Sequence, residues 1–110
     1  MNIEQRIVEQ GISPFDPMLE MKLGLSSGVR DGSGDVIHGM RCSPEKGTSG
    51  WYVWAGEYSD DSSFFEPVHG QHLANDRPDV VPLLHLPPGW RFLFHGEYLD
   101  IWFDEDLLND

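Results

Sequence analysis

The chain has 110 residues, 39% of them hydrophobic, with seven Lys and Arg against nineteen Asp and Glu and a formal charge of −12. One domain around one hydrophobic core is the expectation at this length, and four tryptophans argue against disorder. The charge excludes nucleic acid and an anionic membrane surface as partners, because both require clustered Lys and Arg.

A basic protein is the natural complement of such a chain, since long-range attraction raises association rates. A surface that merely solubilises the chain fits the charge equally well. The acidity is densest in residues 97–110, where six carboxylates and no cation are woven among Tyr98, Leu99, Ile101, Trp102 and Phe103. The single cysteine, Cys42, fits a reducing compartment. Residues 1–20 carry four acidic side chains and no apolar run, so no secretory leader is expected. No stretch approaches the ~20 apolar residues of a membrane span. A cytoplasmic location is the reading.

In chain order, Ile3, Ile7 and Val8 have helical spacing, which predicts a short helix over 2–10 ending at Gly11. Asp16 as N-cap and Pro17 at the first helical position predict a second helix running to about Leu25. Ser26-Ser27-Gly28 and Asp31-Gly32-Ser33-Gly34 are turn chemistry. Residues 36–42 and 51–55 read as two strands of a hairpin joined by a long polar loop. Residues 57–66 form an acidic loop. Residues 67–74 can start a helix, which Pro78 must end. Asp79 then caps a short helix over 80–86, and Pro87-Pro88-Gly89 breaks the chain.

Residues 90–103 give the clearest local pattern. A two-residue turn at His95-Gly96 pairs Phe94 with Glu97, Phe92 with Leu99 and Trp90 with Ile101. One face then holds Trp90, Phe92, Phe94, Leu99, Ile101 and Phe103, a core face. The other sets Arg91 opposite Asp100, beside Leu93, Tyr98 and Trp102. A longer loop would leave these faces unchanged. The fold class is therefore α+β: a small single domain with an antiparallel sheet and short flanking helices.

Candidate chemistry is sparse. His69 and His72 have a spacing that a helix could use for one metal, with His38, His95 or Asp76 as a third ligand. Two surface histidines explain them more simply. Cys42 has no basic neighbour on its own strand face and reads as an inert thiol. The acidic runs lack the alternating spacing of a calcium loop, and no phosphate-cradling glycine loop or nucleophile elbow is present. No cofactor is expected. Trp51 and Trp54 point to opposite faces of one strand, so if Trp51 and Val53 face the core, Tyr52 and Trp54 face outward. An exposed Trp beside carboxylates has hot-spot composition.

The ordered motifs Gly39-Met40-Arg41, Ser49-Gly50-Trp51, Gly56-Glu57-Tyr58, Pro78-Asp79-Val80-Val81-Pro82-Leu83-Leu84 and Pro87-Pro88-Gly89-Trp90-Arg91-Phe92, closing on Asp104-Glu105, resemble the immunity protein 33 family. The resemblance covers about residues 28–108. It divides the chain into a helical extension, 1–27, and an immunity-protein-like domain, 28–110. The resemblance implies a small α+β protein, without catalytic residues, that binds and neutralises a cognate toxin of a bacterial polymorphic toxin system. A cytoplasmic antidote implies a toxin acting there, and a nuclease is the first expectation, since an enzyme that holds phosphates is basic. The expected toxin-binding residues are Trp54, Glu57, Asp60, Asp61, Asp100, Trp102, Asp104 and Glu105. A small metal-dependent enzyme using His69 and His72, or a housekeeping interaction module, are the alternatives.

Overall fold

The computed structural model describes residues 3–30 and 36–108; the turn expected at Asp31 to Gly34 lies outside the described residues. The elements run α1 (Ile3–Glu9), β1 (Lys22–Leu25), β2 (Ile37–Arg41), β3 (Thr48–Ala55), β4 (Glu66–His69), α2 (Gly70–Asp76), a 3-10 helix (Pro78–His85), β5 (Trp90–His95), β6 (Tyr98–Phe103) and a final 3-10 turn (Glu105–Leu108). The strands form one sheet in the order β4-β1-β3-β2-β5-β6. Every neighbouring pair is antiparallel except β1 with β3. The α+β expectation is met, with the antiparallel sheet made mixed by one parallel pair.

The helices lie on one face only. Ile7 of α1, Leu73 of α2 and Val80, Leu83 and Leu84 of the 3-10 helix pack into one core with the inward residues of the sheet. Those residues alternate along each strand as a half-buried sheet requires: Leu23 and Leu25, Trp51 and Val53, Phe92 and Phe94, Leu99 and Ile101. Gly39 makes room for the largest of these contacts. A Cβ built on it would lie 2.2 Å from Cε2 of Phe92, so that ring lies directly across the β2 backbone.

The 90–103 hairpin forms, with its turn one residue later than expected. Gly96 takes the first loop position at φ +58°, the conformation that a two-residue hairpin loop asks of a glycine. Tyr98 therefore pairs with His95, Leu99 with Phe94 and Ile101 with Phe92. The shift moves every pair by two and leaves each side chain on its expected face. Arg91 now opposes Trp102, and Asp100 opposes Leu93. The expected core face holds through Phe92, Phe94, Leu99 and Ile101 but runs out at the sheet end, where Phe103 is 49% exposed. The β2–β3 hairpin is also as expected, with a shorter loop because β3 already begins at Thr48.

The helix expected to run to Leu25 is a strand instead, and the one expected over 67–74 starts only at Gly70, as α2, after the strand β4. Asp16 does cap, its Oδ1 accepting the Met18 N–H at 2.8 Å, but Met18 then takes φ +55° and the chain turns rather than coils. β1 follows, with Leu23 and Leu25 inward and Gly24 between them under the ring of Tyr52. Residues 1–27 thus contribute one helix and an interior strand. Pro67 lies in β4, the strand at one sheet edge. Gly70 N–H bonds Met21 O. The antiparallel alternation then aims the nitrogen of Pro67 away from β1, where a missing donor costs no ladder bond. Asp79 lies inside the first turn of the 3-10 helix rather than at its cap. It receives two hydrogen bonds from Arg77, at 3.0 and 2.8 Å, which hold its carboxyl below the usual range.

A charge sits in the core. Arg41, fully buried, donates from Nε to Ser49 O at 3.0 Å, from Nη1 to Leu84 O at 3.3 Å and Leu86 O at 2.8 Å, and from Nη2 to Asp16 O at 2.8 Å. Its guanidinium also lies over the rings of Phe15 and Trp51. Burial lowers its pKa to about 10, partly offset by Asp16, which leaves it charged at neutral pH.

Two substitutions test this account by chemical denaturation. Phe92→Ala should cost about 3–5 kcal/mol. Arg41→Lys keeps the charge but cannot reach four carbonyls, and should cost at least ~2 kcal/mol.

Candidate interaction face

Strand alternation aims a second set of side chains away from the helices, and two cross-strand rows result. One runs Trp54, His38, Leu93, Asp100 across β3, β2, β5 and β6; the other runs Tyr52, Met40, Arg91, Trp102. At ~4.8 Å between strands, each row spans roughly 14 Å.

The segment 57–65 covers the β3 end of both rows. Tyr58 and Phe65 pack on Trp54 with ring centroids at 5.4 and 6.0 Å, and Phe65 packs on Tyr52 at 5.2 Å. Asp61 shapes this segment: its Oδ1 accepts the backbone N–H and the hydroxyl of Ser63 at 2.8 and 2.7 Å, which lowers its pKa. Trp54 faces away from Trp51 as expected, but it is only 5% exposed and is no exposed anchor. The aromatic residues of the loop that follows it, not helices, provide the cover.

Nothing among the described residues covers the other end of the rows in this way. His38 stacks flat on Trp54, centroids 5.1 Å apart and planes within 10°. Burial and then the nearby Arg91 charge depress its pKa below 6.5. Arg91 lies over the Trp102 ring at 5.6 Å and donates from Nη1 to Asp104 Oδ2 at 3.1 Å. Trp102 is 36% and Tyr98 60% exposed, with Asp100 beside them. Glu57, Asp60 and Asp61 stand exposed on the loop after β3, and Glu105 after β6; Asp100 is exposed on the face itself, with Asp104 half-buried on Arg91. Tyr98, Tyr52 and Tyr58 join this face, and the sequence reading had passed over them as site residues. The signal for the first two was available, since both alternate onto the face that carries Trp102 and Trp54.

The metal alternative finds no support in the geometry. His69 ends β4 and His72 sits in α2, both exposed, with ring centroids 5.9 Å apart. Asp76 is held by Arg30 at 2.5 Å, and His38 stacks on Trp54 across the sheet. Among the described residues no group of three His, Cys, Asp or Glu is placed to hold a metal ion. Cys42 is half-buried at the end of β2, and the guanidinium of Arg41 is committed to backbone carbonyls on the opposite face. Among the described residues no helix is long and apolar enough to cross a membrane.

The sequence profile of the Imm33-like domain matches residues 4–104. The chain belongs to the Imm33-like family. No curated protein and no solved structure matches it. The match takes in α1 and β1, so the Imm33-like domain starts well before residue 28. The first two motifs that carry the resemblance have architectural roles. Gly39 seats Phe92, Arg41 ties Ser49 to Leu86, Trp51 donates from Nε1 to Leu84 O at 3.0 Å, and Gly50 at φ +90° leaves no room for a Cβ against Cys42 O.

His38 supplies a check on this face that needs no partner. Its pKa is depressed in the folded chain, so its contribution to stability is complete above 6.5 and is lost as pH falls through the folded value. NMR titration should give a midpoint below 6.5 for His38, and His38→Phe should remove that part of the acid destabilisation.

Proposed function

We propose that this chain is an antidote that binds a cognate toxin stoichiometrically and covers its active cleft, without catalysis of its own. Membership of an immunity-protein family implies a toxin partner. The observation that supports the finer reading is the half-open sheet face, with Trp102 and Tyr98 exposed on it and the Asp100 carboxylate beside them. Aromatic anchors inside a charged rim are the anatomy of a protein interface. With a formal charge of −12 the partner is basic. A nuclease that holds phosphates has such a cleft, and the antidote then acts in the cytoplasm, where that toxin acts.

The test is co-expression with the product of the adjacent gene, assayed for toxicity. A one-to-one complex with the toxin activity blocked is the expected result; no complex would sink the reading. Within the complex, Trp102→Ala should cost about 2 kcal/mol or more, mainly through faster dissociation. Asp100→Lys should slow association, and its effect should fade as salt rises.

A further inference from the structure

The two edges of the sheet are built differently. At the β4 edge two backbone nitrogens face outward, those of Pro67 and His69, and the first has no hydrogen to donate. At the β6 edge the ladder parity can be read directly. Asp104 N–H bonds Gly89 O at 2.7 Å, so residues 98, 100 and 102 turn their backbone groups toward β5. Leu99, Ile101 and Phe103 turn theirs outward. Arg6 confirms it, donating from Nη2 to Leu99 O at 3.2 Å from outside the sheet. Among the described residues no other strand pairs with β6, and no backbone group from elsewhere bonds Ile101 or Phe103.

We infer that the β6 edge at Ile101 and Phe103, beyond the Leu99 carbonyl that Arg6 occupies, pairs with an extended, basic segment of the cognate toxin, which extends the sheet by one strand. This rests on the toxin-binding reading above and names the geometry of the contact. An added strand would place alternate side chains beside Tyr98, Asp100 and Trp102, within cross-strand reach. A Lys or Arg there meets the Asp100 carboxylate or the Trp102 ring. Glu97, Glu105 and Asp106 extend the same negative field along the strand's two ends. A second copy of this chain fits the edge poorly, because it brings a further −12 against the first.

Phe103 allows the backbone and side-chain contributions to be separated. Phe103→Pro removes an outward amide donor while sparing the β5–β6 ladder. Phe103→Ala removes the same side chain and keeps the donor. Toxin affinity should fall on the order of tenfold more for the proline variant than for the alanine variant, with thermal melts confirming that both are folded. Equal affinities of the two folded variants overturn the edge contact. Hydrogen exchange on the wild-type complex gives a readout independent of either variant: the amides of Ile101 and Phe103 should gain protection when toxin binds. Tight binding without that protection overturns the edge contact alone, whereas a wild-type chain that binds no toxin overturns the antidote reading along with it. Protection of the same amides in a concentration-dependent dimer of the free chain would assign the edge to a second copy instead.

Discussion

The arrangement depends on one buried cation. A guanidinium taken out of water is costly unless its donors are satisfied, and Arg41 meets that condition with backbone carbonyls from three separate stretches of chain: Asp16 after α1, Ser49 in β3, and Leu84 and Leu86 around the end of the 3-10 helix. None of these stretches is long enough to hold itself in place. The 3-10 helix contains Pro82 and has the weaker geometry of its class. Trp51 shares the Leu84 carbonyl and stacks beneath the guanidinium. Because the carbonyls converge on one rigid planar group, the helical layer is docked on the sheet in a single position.

That docking divides the molecule into two faces with separate roles. The inner face is closed by Arg41, Phe92 and the helices, and it holds most of the motif residues by which the family is recognised. The outer face has no helix. It is half closed by the 57–65 segment and half open over β5 and β6. An immunity protein must keep its scaffold while its contact residues follow whichever toxin it meets.

Much of the scaffold was legible because its signals are local. Alternation in residues 90–103 placed six side chains on their correct face even though the turn moved by one residue, since the shift preserves parity. The β2–β3 hairpin and the proline-opened 3-10 helix are likewise read from neighbouring residues. β1 and β4 were not legible. Leu23 and Leu25 alternate over only four residues, and the strand exists because β3 and β4 flank it from distant parts of the chain. Pro67, a helix-starting signal in isolation, is tolerated where it lies because β4 is an edge. Trp54 shows the corresponding limit for the site: its direction followed from alternation, but its burial depends on Tyr58 and Phe65 folding back across it, which no periodicity encodes. The role of Arg41 was equally hidden, since its partners are carbonyls and carbonyls have no sequence signature.

Pro67 has a consequence for the behaviour of the free protein. A sheet with two accepting edges can add copies at both ends, and head-to-tail addition of that kind grows into open filaments. An edge interrupted by a nitrogen that cannot donate accepts a further strand less readily, which disfavours growth at β4. Pro67 thus biases the free chain against end-to-end growth, while the Ile101 and Phe103 backbone at the other edge has no strand partner among the described residues.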